Sequence, residues 1–261
     1  LFHFGATWLP GGFLGVDIFF VISGYLITSI ISKEIEDERF TLAIFYERRI
    51  KRIIPTLLAV LAVTYTVAAL TVSPFKLKDL SQEIVAAATF LSNMYYAITV
   101  DYFSSKAEET FLLHTWSLAV EEQFYIIFPI FISLLYLSRT KTLISLITVV
   151  FLLSLFASFY VTTIHFSTAF FLPFTRAWEI LIGCFVAFYL SQNRRQTDAK
   201  YKINSELISI IGLILIVYSY ITFDKSTLFP YISALLPTLG TAMIIFGTEK
   251  SIYIKGLLSN K

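Results

Sequence analysis

Two adjacent carboxylates, Glu121 and Glu122, fall within His114-Thr115-Trp116-Ser117-Leu118-Ala119-Val120-Glu121-Glu122-Gln123-Phe124-Tyr125, at the start of an apolar run that continues to about Leu137. Ionisable groups inside such a run are costly and mark functional sites by default. On a helix, Ser117, Glu121 and Tyr125 recur every four residues and share one face, while Glu122 points about a quarter-turn away. Glu121 is therefore expected to look inward with a hydroxyl above and below it, as a hydrogen-bond acceptor or proton relay. Asp17 raises the same question in a second apolar run, ahead of Phe19-Phe20-Val21-Ile22. An unpaired carboxylate there costs several kcal/mol, so a partner on a neighbouring helix is expected. A third group, Arg48, Arg49, Lys51 and Arg52, clusters at the start of another apolar run.

The elements that must position these residues are membrane helices. The chain is 57% hydrophobic and only 15% charged, with a mean hydropathy of +0.76, whereas soluble domains carry roughly 25% charged residues. An aromatic content of 17%, with 26 Phe and 15 Tyr, suits lipid-facing helices with interfacial belts. The expected fold is all-α, a polytopic transmembrane helix bundle forming one integral membrane domain over residues 1–261. The net charge of +2 gives no signal for nucleic acid. Cys184 is the only cysteine, so no intrachain disulfide or cysteine metal cluster can form. The histidines at 3, 114 and 165 show no ligand spacing, no Gly-x-Ser-x-Gly elbow occurs, and no metal is expected.

Apolar runs near the roughly 20 residues that a spanning helix needs cover about Phe13 to Ile31, Ile53 to Val72, Ser117 to Leu137, Leu143 to Ile164, Arg176 to Leu190, Ser205 to Thr222 and Ile232 to Gly247. A stub at Leu1 to Trp8 reads as the end of a truncated helix. With no initial methionine and a basic end at Ser259-Asn260-Lys261, the chain reads as a fragment with its first helix and C-terminal helices incomplete. Fifteen of the 20 Lys and Arg residues fall in Lys33 to Arg52, Arg139 to Lys141, Arg194 to Lys202 and the tail from Lys250. The positive-inside rule puts these in the cytoplasm and the alternate connections, Ser73 to Thr115 among them, outside. Parity then requires that Ser81 to Val100, with Gln82, Glu83, Asn93 and Tyr95-Tyr96, does not cross.

Four blocks carry a family resemblance. Pro10-Gly11-Gly12-Phe13-Leu14-Gly15-Val16-Asp17-Ile18-Phe19-Phe20-Val21-Ile22-Ser23-Gly24-Tyr25-Leu26-Ile27-Thr28, Phe45-Tyr46-Glu47-Arg48-Arg49-Ile50-Lys51-Arg52-Ile53-Ile54-Pro55, the His114 to Tyr125 segment and Leu172-Pro173-Phe174-Thr175-Arg176-Ala177-Trp178-Glu179 closely resemble the acyltransferase-3 family of bacterial membrane O-acyltransferases. The similarity is greatest to the branch that O-acetylates lipopolysaccharide O-antigen. It implies a multi-pass protein of the bacterial inner membrane, with no permanently bound cofactor. Such a protein moves an acyl group, usually acetyl, from acyl-CoA to a sugar hydroxyl of a lipid-linked or surface glycan.

The resemblance assigns His3 as the catalytic histidine, and imidazole suits deprotonation of a sugar hydroxyl. Asp17 then either orients His3 and stabilises its protonated form or locks two helices together. Arg48, Arg49 and Arg52 serve topology and anionic-lipid contact, or bind the phosphates of coenzyme A through planar guanidinium groups. Glu121 is either paired for stability to a base such as Arg176, or acts on the acceptor sugar or as a proton relay beside His3. His114, Trp116, Ser117 and Tyr125 are candidate substrate contacts, with Trp116 either an interface anchor or a surface for a sugar ring. Arg176 and Glu179, three residues apart, are expected to form an intrahelical pair. The competing class is a proton-coupled transporter or lipid-binding membrane protein, which would show inverted repeats with broken helices; none is visible.

Overall fold

The computed structural model describes residues 11–102, 107, 109–136, 140–192, 200–224 and 226–250. After a 3-10 turn at Gly12–Leu14 the helices run α1 Gly15–Glu36, α2 Leu42–Thr71, α3 Pro74–Ala88, α4 Ser92–Thr99, α5 Thr115–Tyr136, α6 Thr140–Ile164, α7 Phe166–Phe171, α8 Pro173–Gln192, α9 Lys200–Thr222 and α10 Leu235–Lys250. Helix is the only regular structure among the described residues, as the unbroken apolar runs require. Among the described residues five helices are long and apolar enough to cross a membrane: α1 with its leading turn, α2, α6, α8 and α9. The 22-residue α5 interrupts its apolar run with Glu121 and Glu122. The architecture is that of a multi-pass membrane protein.

Local signals set the ends of the elements. Thr41 opens α2 by accepting the Ile44 N–H at 3.4 Å, and Ser73 opens α3 by accepting the Lys76 N–H at 3.5 Å, with Pro74 in the first turn where a missing N–H costs nothing. The Ser81 to Val100 segment is broken by Phe90, whose φ is 54°. It gives the tail of α3, 15 residues long, and then α4, of eight. Neither reaches the roughly 20 residues of a spanning helix. Leu80 and Ala87 of α3 instead pack in a buried cluster with Leu57, Leu61 and Ala68 of α2.

The contact that positions the candidate site is α1 against α8. A Cβ on Gly24 would overlap the Ile180 carbonyl, and one on Gly183 would overlap the Val21 carbonyl. With both positions glycine the two backbones touch, as small residues allow in membrane bundles. The buried stripe Asp17, Phe20, Gly24, Ile27 and Ile31 of α1 therefore faces Arg176, Glu179, Ile180 and Gly183 of α8. At the start of α1, the Gly11 N–H donates to the Tyr220 carbonyl of α9 at 3.2 Å.

Candidate functional site

Asp17, Arg176 and Glu179 form one buried group. Arg176 Nη1 lies 3.2 Å from Asp17 Oδ1 and 2.8 Å from Glu179 Oε1, and all three side chains are fully shielded from solvent. The N–H directions of the guanidinium do not line up on either carboxylate, so these are close ion pairs rather than a bidentate fork. Aromatic rings complete the enclosure: the guanidinium carbon lies 5.6 Å from the Phe20 ring, 5.6 Å from Trp116, 5.0 Å from Phe170 and 5.3 Å from Phe229. The negative ring faces favour the cation where water cannot reach it. Ionised throughout, the group holds two negative charges against one positive charge.

Of the two sequence readings of Asp17, the helix lock is visible directly, since Asp17 on α1 is paired to Arg176 on α8. His3, its other expected partner, lies outside the described residues. The Arg176–Glu179 intrahelical pair is present. Arg176 pairs with these two residues and not with Glu121. Trp116 is 1% exposed, with its ring 4.8 Å from Phe170, 5.5 Å from Phe171 and 6.0 Å from Phe20. It is a wall of the Arg176 enclosure rather than an anchor at a membrane surface. His114 precedes α5 and is exposed.

Glu121 centres a second group. Ser23 Oγ of α1 donates to Glu121 Oε1 at 2.5 Å, and the Tyr125 hydroxyl donates to the same oxygen. Tyr125 thus supplies one of the two expected hydroxyls, while the other comes from Ser23 and not from Ser117, whose Oγ donates to the His114 carbonyl at 3.2 Å. The helical register could not show this, because Ser23 and Glu121 are 98 residues apart. Glu122 is also buried, with Oε1 carrying no hydrogen bond.

The arginine cluster reaches this group. Arg49 lies 4.6 Å from the Tyr125 ring centre and 5.7 Å from that of Phe45, and both Arg49 and Arg52 are close enough to act electrostatically on Glu121 and Glu122. Arg48 turns the other way, to Glu34 at 2.7 Å, and ties the end of α1 to α2. Lys51 pairs with Glu47 at 2.5 Å. The cluster therefore divides into Arg49, set against the Tyr125 ring with Arg52 on the same helix, and Arg48, engaged with α1.

Asp17 of the first group and Ser23 of the second stand on the same helix. Six residues apart on α1, they are separated by about 9 Å along its axis. Contacts link Arg49, Tyr125, Glu121 and Ser23 in one set and Asp17 and Arg176 in the other, contributed by α2, α5, α1 and α8.

A family model described as an acyltransferase domain, that of the acyltransferase-3 family, matches residues 1–257. The chain belongs to this family. It is 40% identical over 220 residues to O-acetyltransferase OatA of Staphylococcus aureus, a match covering 82% of the chain and 36% of that protein. It is 35% identical over 243 residues to a Haemophilus influenzae protein with no assigned function, covering 90% of the chain and 99% of the relative. The chain thus spans about a third of the length of OatA. No solved structure matches it.

Proposed function

We propose that the protein transfers an acyl group, acetyl in the first instance, from acyl-CoA to a hydroxyl of a cell-surface glycan such as lipopolysaccharide O-antigen. Membership of an acyltransferase family supports the reaction class, and the name of the S. aureus relative supports oxygen as the acceptor atom. The observation that carries the reading is the run of polar side chains from Arg49 through Tyr125, Glu121 and Ser23 to the Asp17–Arg176 pair.

In this reading Arg49 and Arg52, at the cytoplasmic mouth of a bacterial inner-membrane protein, take the phosphates of acyl-CoA, and the pantetheine arm extends inward past Tyr125. His3 removes the proton of the sugar hydroxyl as it attacks the thioester carbonyl; the thiol of coenzyme A leaves and the ester forms. Asp17 and Glu179 hold the surplus negative charge that favours a protonated His3, and Arg176 fixes both carboxylates. Glu121 is tied to α1 by Ser23 and acts where the two arms of the path meet.

Mass spectrometry of surface glycans from cells with and without the complete protein tests this. The expected result is a mass increment of one acyl group that depends on the protein. Identical glycan masses in the two strains would overturn the reading.

A further inference from the structure

A polar cavity lies outside the site described above, where α3, α4 and the segment before α5 meet. Its volume is about 260 Å³, and Lys76, Asp79, Gln82, Glu83, Tyr95 and Glu109 contribute to its lining. These residues belong to the connection from Ser73 to Thr115, which the distribution of basic residues puts on the outer face.

The cavity is built around one carboxyl group. Glu83 is 7% exposed, and its Oε2 accepts both the Leu112 N–H at 3.0 Å and the Tyr96 hydroxyl at 3.2 Å. Both bonds engage the same oxygen, Oε2, and Glu83 is among the residues that line the cavity. Beside it the Tyr95 hydroxyl donates to Gln82 Oε1 at 3.3 Å, so the Gln82 amide N–H groups remain as donors. Lys76 Nζ holds Glu109 at 3.0 Å and clasps α3 to the segment before α5. A tyrosine, an amide and three carboxyl side chains thus line a space on the scale of one sugar ring. Sugars offer many hydroxyl donors and an apolar face, and this lining offers acceptors and an aromatic ring.

Charge narrows the class of ligand. Three carboxyl groups, of Asp79, Glu83 and Glu109, stand against one ammonium, of Lys76. Among the described lining residues the one cation, Lys76, is already engaged by Glu109, so a phosphate or uronate would meet Asp79 with no described cation to balance it, whereas neutral or amino sugars would not. The cavity also backs onto the Arg176 enclosure through aromatic contacts. Tyr96 lies 6.1 Å from Phe171, Phe171 lies 5.5 Å from Trp116, and Trp116 lies 5.6 Å from the Arg176 guanidinium.

We infer that this cavity is a subsite for the acceptor glycan and receives a neutral or amino pyranose unit, excluding acidic ones. The inference rests on the acyl-transfer reading and adds to it the class of sugar recognised and the residues that recognise it. Gln82 and Asp79 form the hydrogen-bonding edge, with the buried Glu83 behind them.

The test is binding of the full-length protein, in nanodiscs, to an array printed with neutral, amino, uronate-bearing and phosphate-bearing glycans. The parent should bind neutral or amino-sugar glycans. Gln82→Ala and Asp79→Ala, both on the exposed side of α3, should each weaken that binding about five- to tenfold, the loss expected for one hydrogen bond. Asp79→Lys should raise binding to acidic glycans. Binding confined to acidic glycans, no glycan binding by the parent, or undiminished binding by both alanine variants would overturn the inference. Acyl transfer from acetyl-CoA is measured on the same preparations: glycan acylation with undiminished binding by the variants would remove the subsite alone, whereas no transfer by the parent would remove the acyl-transfer reading itself.

Discussion

The Arg49 guanidinium lies 4.6 Å from the centre of the Tyr125 ring, and the hydroxyl of that ring is bonded to Glu121. Arg49 belongs to α2 and Tyr125 to α5, so this contact joins the basic cluster to the buried carboxylates without an intervening layer of apolar side chains. A basic cluster serving topology alone has no need of such a contact. If Arg49 and Arg52 hold the phosphates of acyl-CoA, Arg49→Lys and Arg52→Lys in the full-length protein should each raise the dissociation constant for acetyl-CoA about five- to tenfold although the charge is kept, because the planar fork is lost. Isothermal titration in detergent measures it. Unchanged affinity in both variants would return the cluster to a topological role.

Among the described residues Arg176 is the one cation paired with two carboxyl groups in an enclosure fully shielded from solvent. Arg176→Leu strands Asp17 and Glu179 as buried charges, which should cost about 3–5 kcal/mol and lower the apparent melting temperature of the detergent-solubilised protein. Adding Asp17→Asn and Glu179→Gln to Arg176→Leu removes the stranded charges, so the triple variant should regain a large part of the loss. A single Arg176→Leu variant that melts with the parent would show that the ion pairs do not stabilise the bundle.

Much of the fold was legible in the sequence because the bilayer requires long apolar helices, and the runs from Phe13, Ile53, Leu143, Arg176 and Ser205 all became helices long enough to span. The polar residues of Ser81 to Val100 likewise marked a segment that forms two short helices. Pairings between helices were less legible. Helical register linked Glu121 to Tyr125, and Arg176 to Glu179, because those pairs lie within one turn. It could not bring Ser23 to Glu121, a contact of α1 with α5, or Asp17 to Arg176, a contact of α1 with α8 that the backbone approach of Gly24 to Ile180 allows. Phe20 falls in an apolar run and Phe170 and Phe229 in connections between runs, and nothing in the sequence gathers their rings around Arg176. Only the buried arginine gives them another role.

Glu83 supplies a pH prediction. Burial, with a smaller push from the nearby charge of Asp79, raises its folded-state pKa, against smaller lowering effects of the Leu112 N–H and Tyr96 hydroxyl bonds. Relative to the unfolded chain, the stability it contributes is complete below the unfolded pKa and is lost as pH rises through the folded one. Glu83→Gln removes the titration and keeps an acceptor for Leu112 N–H. The apparent melting temperature of the parent, relative to Glu83→Gln, should therefore fall as pH rises above the unfolded carboxyl value of about 4, and level off once the folded-state group has ionised. A difference that is constant or that grows would contradict the assignment.

Single-cysteine labelling checks the orientation on which the path depends. In a Cys184→Ala background, Arg39→Cys between α1 and α2 and Glu109→Cys before α5 should react with an impermeant maleimide from the cytoplasmic and outer sides respectively. Reaction of both from one side would mean that the Ser81 to Val100 segment crosses, and would place Glu121 in the wrong half of the membrane for the proposed transfer.

The most direct measurement is transfer of radiolabelled acetyl from acetyl-CoA to surface glycan by membranes containing the full-length protein or its His3→Ala variant. With equal amounts of inserted protein, the parent should label the glycan and His3→Ala should reduce labelling to background. Labelling by His3→Ala at the parent rate would contradict the account.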